Sequence, residues 1–360
     1  MTEGVKNICL TITSLAPGGA EKQCLLLASL LQEWYNVYLV IIDDQPTYQG
    51  HLDFISIKDL NHIFLEGHSL KKITTLRDFL VQNNIDLIFS YLPRDIIFSA
   101  IAGRGIVKKH IGGIRNALME KSKIRFLRFF HNHLLSASIS NCASGKDFFS
   151  SKGLQADKIH VIPNGIKIDT IPFRRLESES ITITTMGRLV AQKDFPTAIS
   201  SLDYLRTILP DNGPRLKLQI VGYGPLEEDL RQQIALAGLA DNVKVITDAQ
   251  DLSTVLKNSD IYLCTSIFEG VSNAILEAMA QSLPVIATDA GDNKLLVNHG
   301  INGYICGIRD HIGIGNALKL LIVDYKKRID FGEKSYEILK KNHDLTVFRD
   351  RYLHFISEIE

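Results

Sequence analysis

Ile8-Cys9-Leu10-Thr11-Ile12-Thr13-Ser14-Leu15-Ala16-Pro17-Gly18-Gly19-Ala20-Glu21 opens with a short apolar run and ends in a glycine turn. An amphipathic stretch, Glu21 to Leu31, follows, and then a second apolar run, Val37 to Ile42. Strand, glycine turn, helix and strand in that order open a βαβ unit. The alternation continues outward. Strands are expected at Leu87–Leu92, His110–Ile114, Ser136–Cys142 and Ile159–Gly165, and helices at Leu70–Val81, Ile96–Ala102, Ile124–Leu135 and Ser144–Ser151. Such alternation predicts a parallel, doubly wound sheet.

A polar stretch, Arg174 to Ser180, interrupts the pattern, and a second α/β series begins at Ile181. Its expected strands are Ile181–Met186, Leu216–Val221, Val243–Ile246, Ile261–Cys264, Val285–Ala287 and Tyr304–Cys306. Helices are expected between them at Pro196–Leu209, Leu226–Ala237, Leu252–Lys257, Ala274–Ala280 and Ile312–Val323, and the tail from Tyr325 to Glu360 reads as helical throughout. The predicted organisation is an acceptor-side Rossmann-like domain over 1–165, a linker over 166–180 and a second Rossmann-like domain over 181–335. The helices of 336–360 are expected to pack back toward the first domain. Open parallel sheets bind ligands beyond the carboxyl ends of their strands, so functional residues are expected on strand-to-helix loops, with the two sheets facing across a cleft.

The 360 residues fit two domains, and 40 basic residues balance 40 acidic ones. Nothing in that balance points to nucleic acid. Five dispersed cysteines without a CxxC pair suit a reducing compartment. The polar start lacks a signal-peptide pattern, and no apolar run is long enough to span a bilayer, so a cytoplasmic location is expected.

The second half carries the most informative loops. In Phe268-Glu269-Gly270-Val271-Ser272-Asn273-Ala274-Ile275-Leu276-Glu277, two glutamates flank a strand-to-helix turn. Fully helical spacing would put them about 12 Å apart along the axis, too far for the roughly 5 Å carboxyl pair of a retaining glycosidase. That distance suits two grips on one extended ligand, with helix-start N–H groups at Gly270–Asn273 presented to an anion between them. It equally suits a loop glutamate followed by a surface-helix glutamate. Arg188 and Lys193, in the loop after Met186, can hold two phosphates, one as a fork and one as a point charge, or stand as solvated cations. Gly222 and Gly224 permit a close backbone approach or a plain turn. Gly18 and Gly19 at a helix start can meet a phosphate without forming a P-loop. Arg115 and Asn116 end a strand, where Arg115 either meets substrate or caps the next helix. No Asp-x-Asp or His-Glu-x-x-His is present, and His131 and His133 point to different helix faces. No metal site or cofactor is expected. Lys121, Lys123, Arg125 and Arg128 interleave with Ile124, Phe126, Leu127, Phe129 and Phe130. That pattern fits either an anionic membrane surface or a solvated basic face.

Together these stretches resemble the family 4 (group 1) retaining glycosyltransferases of the GT-B fold. The resemblance runs along essentially the whole chain. Its most specific part is Glu269 to Glu277 with Ala278-Met279-Ala280 and Pro284-Val285-Ile286-Ala287-Thr288. Gly187-Arg188-Leu189, Gln192-Lys193-Asp194, Pro163-Asn164-Gly165-Ile166 and Gly18-Gly19-Ala20-Glu21 fall in the family's order. It implies that Arg188 and Lys193 hold the donor diphosphate, Glu269 the sugar hydroxyls and Glu277 the ribose. It further implies that the backbone of Val271, Ser272 and Asn273 meets sugar and phosphate, with Gly222 and Gly224 also on the donor side and Gly18 and Gly19 closing over it. The implied reaction is metal-independent, retaining transfer from a nucleotide-diphosphate sugar, a UDP-sugar for preference. Many members carry a histidine where Arg115 stands. Arg115-Asn116 is similar to members that extend bacterial surface polysaccharides on lipid carriers, so Arg115, Asn116 and Glu21 are candidate acceptor or sugar contacts. A polyprenyl-diphosphate-linked glycan, in O-antigen or capsule synthesis, is the implied acceptor, met by a peripheral enzyme on the inner face of the plasma membrane. The competing readings are a GT-B-type UDP-sugar 2-epimerase and a non-catalytic two-lobed sugar-binding protein. A nicotinamide-dependent dehydrogenase lacks its glycine fingerprint here.

Overall fold

The computed structural model describes residues 6–115, 121–168, 173, 175–210, 212–249 and 251–360, with the backbone alone at 121 and 122. The chain divides into two compact units, Met1–Gly165 with Thr346–Glu360, and Ile166–Leu345.

The first unit runs β1 (Asn7–Ile12), α1 (Gly19–Leu31), β2 (Asn36–Ile41), α2 (Gln49–Ile57), β3 (His62–Phe64), α3 (Ser69–Gln82), β4 (Leu87–Ser90), α4 (Pro93–Ala102), β5 (Lys109–Ile114), α5 (Lys121–His133), β6 (Ala137–Ser140), α6 (Ala143–Ser151) and β7 (Ile159–Val161). All its strand pairs are parallel, in the order β3-β2-β1-β4-β5-β6-β7. The central strands are buried from end to end, as β4 and β6 show. This is why they read as unbroken apolar or small-residue runs rather than alternating ones.

The second unit runs β8 (Ser180–Met186), α7 (Phe195–Ile208), β9 (Arg215–Val221), α8 (Glu227–Leu236), β10 (Val243–Ile246), α9 (Leu252–Lys257), β11 (Ile261–Cys264), α10 (Asn273–Ala280), β12 (Val285–Thr288), α11 (Asn293–Leu296), β13 (Gly303–Cys306), α12 (His311–Val323) and α13 (Tyr325–His343). Its parallel sheet has the order β10-β9-β8-β11-β12-β13. Helix starts are fixed locally. Asp251, Asp310 and Asp324 accept from backbone N–H groups of the first turns of α9, α12 and α13, the usual role of a short acidic side chain at that position.

The tail is not one continuous helix. It breaks at Asp344, whose extended backbone pairs with Ile166, and Ile166 N–H donates to the His343 carbonyl at 2.9 Å. The last helix, α14 (Leu345–Ile359), belongs to the first unit apart from its first residue. Phe348, Tyr352, Phe355 and Ile356 recur on one helical face and sit in the same core as Leu10, Phe89 and Ile139. Burying each of these four side chains is worth about 1.5–3 kcal/mol.

In each sheet the winding direction reverses between the first strand along the chain and the fourth, at β1/β4 and at β8/β11. A doubly wound sheet opens its ligand crevice at that switch point. All five cysteines are unpaired. His131 is buried with Nδ1 on Ser138 Oγ at 2.8 Å and Nε2 on the Gln155 carbonyl at 3.0 Å, so both its nitrogens already serve the fold.

Candidate donor site at the β8/β11 switch point

The loop from β8 to α7 carries Arg188 and Lys193, and the loop from β11 to α10 carries Glu269. Backbone and side-chain bonds tie the two loops together. Ile267 N–H donates to the Gln192 carbonyl at 2.9 Å, Gln192 Nε2 to the Phe268 carbonyl at 2.8 Å, and Thr265 Oγ1 to the Lys193 carbonyl at 2.9 Å. At their centre Lys193 Nζ forms an ion pair with Glu269 Oε1, an oxygen that also accepts from Ser266 Oγ at 2.7 Å. Glu269 is 6% exposed. Burial pulls the Lys193 pKa down, but the facing Glu269 carboxylate outweighs it and the net shift is upward. Lys193 therefore stays charged. Arg188 is exposed beside it, close enough for its charge to act on Lys193. The guanidinium has no hydrogen bond or ion pair among the described residues.

The loop after β9 packs against this pair of loops. Leu189 N–H donates to the Tyr223 carbonyl at 2.8 Å and Leu226 N–H to the Leu189 carbonyl at 3.1 Å. A Cβ on Gly222 (φ +150) would run into the Gly187 carbonyl, so the close approach that positions Arg188 needs glycine there. Gly224 is the second positive-φ glycine of that turn. The loop after β12 closes the other side. Gly291 (φ +56) leaves no room for a Cβ against the Glu269 carbonyl, and Asp292 N–H reaches the Gly270 carbonyl at 3.4 Å. Val271 and Ser272 are buried, and Asn273 begins α10 behind Ser272, which caps the helix without a side-chain hydrogen bond. Glu277 lies one turn into α10, half-buried. Burial pushes the Tyr262 phenol well up, and the charges of both Glu269 and Glu277 reach it.

Thus Arg188, Lys193, Gly222, Gly224, Glu269, Val271, Ser272, Asn273 and Glu277 share the strand-end edge of the second sheet. Gly18, Gly19, Glu21 and Arg115 form a separate group in the first unit, and Asn116 lies outside the described residues. Gly18 precedes α1, and the Glu21 carboxyl occupies the space beside it. Burial raises the Glu21 pKa. Arg115 stacks on the Tyr91 ring at 4.3 Å and donates from Nη2 to Tyr352 Oη at 3.3 Å. The Cys24 thiol, pushed up by burial, also feels Asp95, Arg115 and Glu21.

Several residues of these sites have no sequence signal of their own. Ser266, Gly291 and Tyr262 gain meaning only from neighbours far along the chain. Asp95 is the clearest case. It is fully buried, binds Thr13 Oγ1, accepts from Leu92 N–H at 2.8 Å, and burial pushes its carboxyl up to about 8. Its only sequence trace is its place two residues after Pro93, in the first turn of a helix.

The description Glycosyltransferase Family 4 matches residues 17–170, and Glycosyl transferases group 1 matches residues 167–338. The chain belongs to this family of glycosyltransferases. It is a transferase with the GT-B fold. The crystal structure of Anabaena Alr3699/HepE in complex with UDP superposes with a TM-score of 0.85 at 20% identity, covering 98% of this chain and 100% of that one. The amylovoran biosynthesis glycosyltransferase AmsK of Erwinia amylovora is 28% identical over 201 residues, 53% of this chain and 48% of AmsK, about half the length of that relative. The N-acetylgalactosamine-N,N'-diacetylbacillosaminyl-diphospho-undecaprenol 4-alpha-N-acetylgalactosaminyltransferase of Campylobacter jejuni subsp. jejuni serotype O:2 is 23% identical over 369 residues, 96% of this chain and 98% of that protein. Among the described residues no helix is long and apolar enough to cross a membrane.

Proposed function

We propose that this chain transfers a sugar, with retention, from a UDP-sugar to a polyprenyl-diphosphate-linked glycan in the synthesis of a bacterial surface polysaccharide. The observation that carries the donor half is the Lys193–Glu269 pair, held by the loop bonds described above, with the Arg188 guanidinium beside it and the N-terminus of α10 next in line. Breaking a glycosyl–phosphate bond leaves negative charge on the diphosphate. Cations and helix-start N–H groups fixed before the reaction stabilise that charge where it develops and need no reorganisation. Arg188 and Lys193 take the diphosphate. Glu269, held by Lys193 and Ser266, meets the sugar hydroxyls, and Glu277 meets the ribose. The backbone of Val271, Ser272 and Asn273 lies against sugar and phosphate, with Gly222 and Gly224 on the same side. The acceptor attacks from the face the diphosphate leaves. The first unit supplies the acceptor side, with Glu21 and Arg115 as its contacts. The UDP held by Alr3699/HepE and the diphospho-undecaprenol in the name of the Campylobacter relative support the two substrate classes.

Arg188→Ala tests the donor half. Removing one such charge-stabilising group lowers kcat by about 10²–10³, read as UDP release from a panel of UDP-sugars with a bacterial lipid extract as acceptor. Unchanged turnover in that variant would remove the diphosphate role. The membrane half rests on α5, where Lys123, Arg125 and Arg128 are exposed together with Phe126 (65%) and Phe129 (55%). Such a helix lies in an anionic interface. Co-sedimentation with phosphatidylglycerol vesicles, lost on adding salt, is expected, and no binding to such vesicles at low salt would end this part.

A further inference from the structure

The Glu269 carboxylate uses its two oxygens unequally. Oε1 takes both the Lys193 ammonium and the Ser266 hydroxyl, whereas Oε2 has no hydrogen-bond partner among the described residues. A carboxylate can accept at either oxygen, so one of them is unspent although the residue is buried. Ser266 is itself pinned, because Thr288 Oγ1, at the end of β12, donates to its carbonyl at 2.5 Å. The Lys193 stem lies along Gly187, where a Cβ would come within 3.1 Å of Lys193 Cε. Lys193 Nζ donates to Glu269 alone among the described residues, which leaves ammonium donors for a diphosphate. The carboxylate is thus fixed at one oxygen and open at the other, within a cluster that also holds the Arg188 guanidinium.

We propose that Glu269 biases this site toward the intact nucleotide sugar and against the nucleoside diphosphate left after transfer, a role that rests on the donor reading above and deepens it to product release. The two ligands differ at this spot in two ways. The sugar brings hydroxyl donors, and a hydroxyl bonded to a carboxylate makes a short, strong hydrogen bond. The product brings instead a free terminal phosphate, which ionises a second time with a pKa of about 6 and so carries nearly one more negative charge at neutral pH. Arg188 and Lys193 attract both ligands, so the cations alone do not separate substrate from product. Glu269 does. Its open oxygen accepts from the sugar, and its charge, poorly screened where it is buried, repels the added charge of the product, since like charges brought together at a binding site are costly. A Glu269 that served only to hold Lys193 would act differently, because its loss would weaken both ligands together.

Isothermal titration of the full chain with UDP, UDP-glucose, UDP-galactose, UDP-N-acetylglucosamine and UDP-N-acetylgalactosamine tests this role, the tightest-binding nucleotide sugar being taken as donor. Glu269→Gln keeps an acceptor for Lys193 and Ser266 but removes the charge. It is expected to bind UDP more tightly than the wild type does and the donor more weakly. The donor-to-UDP affinity ratio should fall at least about tenfold, the worth of one hydrogen bond to a charged group. Ser266→Ala, which leaves the charge in place, is expected to give no gain in UDP affinity. Should Glu269→Gln lose its helical circular dichroism, Glu269→Asp replaces it. With the charge kept and the reach shortened, donor affinity alone is expected to fall, and an equal loss of donor and UDP would overturn the role. UDP affinity that is unchanged or lower in Glu269→Gln also overturns it, as does a Ser266→Ala gain equal to that of Glu269→Gln, which would trace the gain to a loosened loop. In any of these cases Arg188→Ala separates the two levels, since a loss of affinity for UDP and donor alike in that variant would leave the diphosphate site standing without the discrimination. A wild type that binds none of the nucleotide sugars would remove the donor reading and this role with it.

Discussion

The two units share a strand order through six strands but bury opposite chemistry at the reversal of their winding. In the second unit the β8/β11 edge holds Lys193 against Glu269, with Arg188 exposed beside them. In the first, the β1/β4 edge holds Asp95 and Glu21, both pushed up by burial. Asp95 binds a hydroxyl and backbone N–H rather than a cation. An ion pair with a spare cation at its side is set for an anionic ligand. A carboxyl held up to about 8 is largely neutral at pH 7 and can act as a hydrogen-bond donor. One backbone plan thus offers charge in one place and neutral polarity in the other. The difference comes from which side chains follow the strands, since fold alone assigns no function.

Three measurements would break or sharpen that contrast. The largest effect belongs to the first unit's core. Phe348 is fully buried in α14, and Phe348→Ala is expected to destabilise that unit by about 3–5 kcal/mol. Urea unfolding followed by hydrogen exchange would localise the loss to the first unit. The rise in melting temperature given by UDP, a ligand of the second unit in the proposed scheme, should persist. Loss of protection spread evenly over both units would show that they do not respond separately.

Next comes the ion pair. Glu269→Ala leaves the mostly buried Lys193 ammonium without its carboxylate, a change expected to cost about 3 kcal/mol in the second unit. Glu269→Gln, which keeps an acceptor for Lys193 and Ser266, should lose less. If the two variants are equally stable, the pair is not what organises this edge.

The smallest effect is a pH slope. Asp95 has a folded pKa raised to about 8 from an ordinary value of 3.8, so the unfolded chain releases its proton first. The stability it contributes is complete below pH 3.8 and is lost as pH rises toward 8. His110 runs the other way. Burial lowers its pKa to about 3 from 6.5, so its contribution is present above pH 6.5 and is lost as pH falls toward 3. At pH 6.5 the histidine is still half protonated in the unfolded chain, so between pH 6.5 and 8 its rising contribution opposes the fall from Asp95. Comparison with Asp95→Asn isolates the carboxyl: the stability difference between wild type and variant, read from the urea midpoints, should shrink across that window by about 1.5 kcal/mol. A difference that does not change with pH there would mean that Asp95 is ionised in the native state.

Much of the fold was legible because buried parallel strands leave continuous apolar runs, as at Leu87–Phe89 or Ile261–Cys264. The α2 helix and β3 were not expected. β3 has three residues at the sheet edge, and only two turns of α2, at His51 and Ile55, bury a side chain, so neither leaves a full period. The helical tail expected from Tyr325 onward gave no sign of the break at Asp344, whose cause is a backbone partner, Ile166, far back along the chain. The candidate donor-side residues stood out because glycines bracket them and because Glu269 and Glu277 flank a helix start. Their partners did not. Ser266 beneath Glu269, Gly291 against its carbonyl and the bonds from Gln192 to Phe268 are pairings between distant segments, which no local pattern records.

The return of α14 to the first unit has a consequence for biogenesis. Domains ordinarily fold in the order in which they leave the ribosome. Here the amino-terminal unit lacks Phe348, Tyr352, Phe355 and Ile356 until the final helix has been made. The middle of the chain can therefore reach its finished state first, while the earliest-made strands wait, partly uncovered, for the last residues to seal them.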